Sequence, residues 1–283
     1  MSLPDKLELR AVTPMRQSFE MGCGPTSVAM ALSGLGIITT EQALAEAYFP
    51  SALLPSLNQD TRRLNPDSGL HDSKLIEGIV DVVEGMGLQK RVNVDVFDAN
   101  LFEYTFSSEQ GYIIEVQPRS MKELGTKFRK GEEVKEFYQS LETLSKKRKI
   151  KVYTANARLM RTNQGFFGPS KDTIQGFYTE LADFISRGHI VGPHGGMTAH
   201  IRALDGTRTE TPYGRREIGF LMLDPNGQSN IIPISSLVMA GGNSGVRGDT
   251  FDYLFRLSPK EVLSPQQFGI RGFLGSLKSL LAR

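Results

Sequence analysis

The sequence predicts an α+β fold in which a helical N-terminal lobe packs on an antiparallel β-sheet lobe. Apolar residues recur at helical spacing at Val28, Ala31, Leu32 and Leu35, and again at Leu75, Ile76, Ile79, Val80 and Val83. Short apolar runs separated by Gly, Pro, Asn and Asp crowd the second half of the chain. The two patterns are segregated along the sequence, whereas an alternating βαβ sheet would interleave them.

The first helix spans 23–35, with Pro25 suited to its first turn and Gly36 as its stop. Thr39 with Gln42 reads as a capping box for a short helix through Tyr48. Residues 50–70, with Pro50, Pro55 and Pro66 among polar residues, read as a loop. Asp72 caps the next helix, which ends at Gly85 or Gly87. Alternating Val92, Val94 and Val96 predict a strand, and Tyr112 to Val116 predict another.

Residues 119–151 change character. They hold eleven Lys/Arg and five Asp/Glu, a local +6, so the remainder of this +2 chain sums to −4 (2 minus 6). A solvated helical insertion is the preferred reading, ahead of a basic surface for an acidic partner or anionic lipid. Asp172 then caps a helix carrying Ile174, Phe177, Tyr178, Leu181, Phe184 and Ile185, and Gly188 ends it. Strands are expected at His189 to Val191, Ala199 to Leu204, Ile218 to Leu223, Asn230 to Ile234 and Thr250 to Leu257. The tail 259–283 is amphipathic but interrupted by Gly269, Gly272 and Gly275. Docking on the protein's own core is preferred over weak contact with a membrane surface. The whole chain thus reads as one domain of two lobes: a helical part to about residue 118, the insertion, a strand-rich part over 152–258, and the tail.

With 283 residues, 39% hydrophobic and 23% charged, the chain can bury a sizeable core and reads as soluble. The small net charge gives no nucleic-acid signal. No apolar run reaches membrane-spanning length, so no transmembrane segment is expected. The N-terminus lacks the apolar core of a signal peptide, which fits a cytoplasmic protein or one secreted by a signal-independent route. No His, Cys or acidic cluster has ligand spacing, so neither metal nor cofactor is expected.

Cys23 is the sole cysteine. It cannot form an intramolecular disulfide, and it sits where a helix begins. Unpaired amides and the helix dipole favour negative charge there and lower a thiol's pKa. Free cysteine is usually a small buried hydrophobe. Flanking Gly22 and Gly24, which permit a sharp turn and close approach of a substrate, favour a nucleophile instead. Gln17, six residues upstream, can supply a side-chain N–H to a developing oxyanion.

A thiol nucleophile needs a base, usually histidine. His71 reads as a surface or capping residue, His189 as a packing residue after a helix stop, and His194 lies in a loop with Gly195 and Gly196. His200, at the edge of an expected strand, is the candidate base because it would be rigidly presented. Asp224 closes the run Gly219–Leu223 and can fix the imidazole tautomer. Taken singly it is a turn-forming residue in Asp-Pro-Asn-Gly. As the end of a strand antiparallel to that of His200, it lies at the same end of the sheet and becomes the orienter.

With Gln17, Cys23, His200 and Asp224 in that order, the chain resembles the papain-like cysteine peptidases, closest to the bacteriocin-processing, double-glycine leader peptidase-like group. The matching elements are Gln17, Cys23-Gly24 with the small-residue helix through Leu32, His200 with its strand, and Asp224-Pro225. The chain departs from that pattern at Gly22, where the family often has an acidic residue, and at Ala199, where it has glycine. It also departs in a longer loop bearing Arg208, Arg215 and Arg216, and in the 119–151 insertion. No transporter portion is expected to follow.

The resemblance implies a papain-like fold, with Cys23 as nucleophile, His200 as base, Asp224 as its orienter and Gln17 as oxyanion donor. It implies acyl transfer through a thioester, most simply a peptidase acting on a protein or peptide substrate. Water as acceptor also fits a deamidase, and an amine acceptor fits a transferase. A secreted bacterial effector is compatible with any of these. A non-catalytic, peptide-binding module of the same fold is the competing class, disfavoured because the nucleophile is present.

Overall fold

A computed structural model describes residues 7–58, 63–64, 70, 72–98, 102–107, 112–118, 139–140, 143–144, 147, 151–154, 179, 181–194, 200–210, 218–234 and 253–260. Most of the basic insertion, the tail beyond 260, His71 and the loop with Arg215 and Arg216 lie outside these residues.

Helix α1 (Cys23–Ser33) is the buried axis of the fold, with every residue from Gly24 to Leu32 buried. Its composition explains this: Ala29 and Ala31 let neighbours approach closely, and Val28, Met30 and Leu32 fill the space around them. The chain reverses at Gly36, whose φ of 76° is the left-handed conformation that glycine adopts without strain. Helix α2 (Glu41–Tyr48) packs on α1, and a 3₁₀ turn at Pro50–Leu53 follows it. Helix α3 (Asp72–Gly85) presents Leu75, Ile76, Ile79, Val80, Val82 and Val83 to the same core. Burying each such side chain contributes about 1.5–3 kcal/mol, so these residues dominate the lobe's stability.

The short strands β1 (Leu57–Asn58) and β2 (Arg63–Leu64) pair with each other. β4 (Phe102–Ser107) and β5 (Tyr112–Pro118) form a second antiparallel pair. The main sheet has seven strands: β3 (Val92–Asp98), β6 (Lys151–Thr154), β7 (His189–His194), β8 (Ala203–Glu210), β9 (Ile218–Leu223), β10 (Ser229–Pro233) and β11 (Tyr253–Pro259). Their order is β10-β9-β8-β7-β11-β3-β6, antiparallel throughout except where β3 meets β6. Helices packed with a largely antiparallel sheet make this an α+β protein.

One buried ion pair locks the sheet's centre. Arg256 on β11 stands opposite Asp95 on β3, with Nη2 at 2.6 Å and Nε at 3.2 Å from Asp95 Oδ2. Its Nη1 donates to the Phe184 carbonyl at 2.9 Å, and the guanidinium lies 4.2 Å from the Phe184 ring centroid. Every charge there is met by a hydrogen bond, which a buried pair requires if it is not to destabilise the fold.

Several elements differ from the sequence expectations. Thr40, not Thr39, caps α2, its Oγ1 accepting from the Ala43 N–H at 3.2 Å, while the Thr39 hydroxyl is buried without a partner. Residues 50–58 contain a helical turn and a strand, and β4 and β6 carry no alternation strong enough to read. β8 starts at Ala203, so residues 200–202 precede the strand. Their backbone groups are claimed elsewhere: the Ile201 carbonyl accepts from Ser27 Oγ on α1 at 3.1 Å, and the Arg202 carbonyl from the Gly192 N–H at 2.7 Å. Of the expected helix from Asp172, residues 179 and 181–185 are described and are helical.

Candidate active site

Cys23 is the first residue of α1 and is half-buried. The N-cap is Gly22, which offers no side chain to the first-turn amides. A nascent anion at this helix end meets the positive end of the helix dipole.

Two long-range hydrogen bonds and one strand register assemble the rest around this helix end. Ser27, one turn along α1, holds the Ile201 carbonyl and thereby seats His200 beside the helix. The register of β8 on β9 pairs Ala203 with Leu223, which carries Asp224 to the same end of the sheet. The Gln17 N–H donates to the Pro225 carbonyl at 2.8 Å, tying the segment before Cys23 to the turn after Asp224. The segment from Gln17 to Cys23, His200 and Asp224 thus come together from three separate stretches of chain.

The His200 side chain is 15% exposed and that of Asp224 14%. His200 Nε2 lies 2.8 Å from Asp224 Oδ1. An ionised carboxylate can only accept, so Nε2 carries the proton and Nδ1 is left for the thiol. The Cys23 side chain hydrogen-bonds to the imidazole. Asp224 is itself held by the Asn226 N–H at 2.8 Å on Oδ1 and by Arg202 Nε at 3.0 Å on Oδ2. The order of the relay is therefore sulfur, imidazole, carboxylate, guanidinium.

The electrostatics follow this wiring. The Cys23 hydrogen bond raises the His200 pKa above its ordinary value of 6.5, burial opposes it, and Asp224 adds to the rise. Burial alone would push the Asp224 carboxyl up. The hydrogen bonds from His200, the Asn226 N–H and Arg202 outweigh it and hold the group below its ordinary value. The raised imidazole and the lowered carboxyl together favour the charged forms of His200 and Asp224.

The Gln17 amide is engaged within its own turn. Nε2 donates to the carbonyls of Phe19 at 3.2 Å and Glu20 at 3.0 Å, and Oε1 is buried without a partner. An oxyanion would have to win one of those two N–H groups.

His189 lies apart from this relay, buried at 1% exposure against Gly34 and Gly206. The side chain of His194, at the end of β7, is outside the described residues, as is all of His71. Sequence reasoning singled out no role for Arg202, Asn226 or Ser27. The first two flank the relay within two residues of His200 and Asp224, a proximity that could have flagged them. Among the described residues no group of three His, Cys, Asp or Glu could hold a metal ion, and no helix is long and apolar enough to cross a membrane. Neither family models, curated proteins nor solved structures yield a match to this chain.

Proposed function

We propose that this protein is a cysteine-dependent acyl-transfer hydrolase with a papain-like arrangement, acting on amide bonds of a protein or peptide. The observation that carries the reading is the relay Cys23–His200–Asp224 at the N-terminus of a helix with no side-chain cap.

His200 takes the Cys23 proton, giving a thiolate–imidazolium pair. The sulfur attacks the carbonyl carbon, forming the S–C bond as the carbonyl electrons move to oxygen. The Cys23 backbone N–H and the Gln17 amide face that oxyanion, Gln17 by releasing one of its two carbonyl partners. His200 returns the proton to the leaving nitrogen as the C–N bond breaks, leaving a thioester. Water, deprotonated by the neutral imidazole, then releases the acid and restores the thiol. Asp224 fixes the imidazole throughout, and Arg202 and Asn226 fix Asp224.

The test is a thiol-directed probe, an iodoacetamide or an epoxide, followed by intact-mass analysis of wild type and His200→Ala. Fast labelling of Cys23 that collapses in His200→Ala supports the reading; equal labelling rules it out. Incubation with a peptide library then identifies the acceptor. New peptide termini mark a peptidase, side-chain amide loss a deamidase, and joined peptides a transferase, and each product must vanish in Cys23→Ser.

A further inference from the structure

We propose that Glu41 is a positioning residue for the turn that presents the nucleophile, and that the reaction's oxyanion contacts depend on it; this rests on the reading of Cys23 as nucleophile. Glu41 is a carboxylate of the first turn of α2, yet it is only 8% exposed. A glutamate so buried is uncommon unless it is held for a reason.

Its partners all belong to the Gln17–Cys23 segment. Oε2 accepts from both the N–H and the hydroxyl of Ser18, each at 2.7 Å. Oε1 occupies the space a side chain at position 22 would need: a Cβ on Gly22 would overlap it, and would press at 3.0 Å on the Phe19 carbonyl. That oxygen is buried without a partner. The turn is closed from within by the Gly22 N–H on the Phe19 carbonyl at 3.1 Å and by the two bonds from Gln17 Nε2. It is closed from without by Glu41. Serine before and glycine after are the residue types this needs, one to donate twice to a carboxylate and one to leave room for it.

The consequence is chemical. Both oxyanion donors, the Cys23 N–H and the Gln17 amide, lie at the ends of this turn, and Glu41 sets their separation. The sulfur itself is placed by α1 and His200. Removing Glu41 should therefore damage chemistry that passes through an oxyanion and spare chemistry that does not.

Two reagents separate these. p-Nitrophenyl acetate acylates a thiolate through a tetrahedral oxyanion: the S–C bond forms, the C–O bond to p-nitrophenolate breaks, and the acetyl group remains on sulfur. Iodoacetamide alkylates the same thiolate by direct displacement of iodide, with no oxyanion. Glu41→Ala and Gly22→Ala should each lower the acylation rate at least about tenfold, the scale of a misplaced donor. The alkylation rate should stay within about twofold, because the thiolate is set by His200 and the helix end. Glu41→Gln keeps an oxygen for Ser18 and the same shape, and should recover most of the acylation. Should Glu41→Ala fail to fold, Gly22→Ala and Ser18→Ala test the same contacts from the other side. Acylation unchanged, or both rates falling together, overturns the proposal while leaving the nucleophile standing. Wild-type labelling that ignores His200 defeats the nucleophile reading, and this proposal with it.

Discussion

His189 and His200 each face an aspartate, and the two pairs do opposite things. His189 lies wholly inside, its Nε2–H donating to the Gly34 carbonyl at 2.9 Å and its Nδ1 accepting from the Gly206 N–H at 3.4 Å. Asp205 stands 3.7 Å from Nδ1, and its other oxygen is spent on the Val12 N–H at 2.9 Å. Burial lowers the His189 pKa, and the opposing pull of Asp205 and Gly34 does not overcome it. At His200 the hydrogen bond from Cys23 leads, Asp224 bonds the ring directly at 2.8 Å, and the pKa rises. A histidine beside an aspartate thus does not by that alone have a raised pKa. What decides is whether the carboxylate bonds the ring, and whether the ring also meets a thiol or only backbone groups.

The largest effect that can break this contrast is on the chemistry. His200→Ala should lower acylation of Cys23 at least about 10³-fold, the scale on which loss of the base disables such a relay. The thermal midpoint should move little, since His200 is partly exposed. His189→Ala should do the reverse. It opens a cavity and takes the acceptor from the Gly206 N–H, for a loss of about 3–5 kcal/mol in denaturant unfolding. The labelling rate per folded molecule should persist. If the two variants exchanged these outcomes, the roles assigned to the pairs would be reversed.

Gln17→Ala should lower acylation about 10²-fold, the cost of one lost oxyanion donor, with alkylation intact. Because the Gln17 amide already has two carbonyl partners, an unchanged acylation rate would mean that it serves the turn alone. The smallest effect is on pH-dependent stability. His189, with its pKa lowered, contributes stability that is complete above the ordinary value of 6.5 and is lost as pH falls through its folded value. His200, with its pKa raised, contributes stability that is complete below 6.5 and is lost as pH rises through its folded value. Urea midpoints against pH in His189→Gln and His200→Gln should lose slopes of opposite sign on the two sides of that value.

The difference between the pairs also shows what a sequence discloses. Cys23 was legible because glycines flank it at a helix start, and Asp224 because an apolar run ends on Asp-Pro-Asn-Gly. The antiparallel pairing of β8 with β9 was legible from two apolar runs around a polar hairpin. His200 was chosen for a strand edge that the structure moves to Ala203, since Ser27 captures the neighbouring carbonyl from 174 positions away. Contacts of that kind leave no local pattern. Glu41 reaching Ser18 across 23 positions, and Arg256 reaching Asp95 across 161, were invisible for the same reason. Thr39 and Thr40 are chemically alike and adjacent, so only the backbone geometry selects the cap. The seven-stranded order could not be read because β3, β7 and β11 meet through long connections whose patterns do not name their partners.

The proposed function requires that Cys23 and His200 form a thiolate–imidazolium pair in the resting protein. Its most direct test is the rate of Cys23 alkylation by iodoacetamide as a function of pH, followed by intact mass in wild type and His200→Ala. The expected wild-type midpoint lies well below the value of about 8.5 for a free cysteine and rises toward that value when the imidazole is removed. A wild-type midpoint at or above the free value, and the same in His200→Ala, would contradict it.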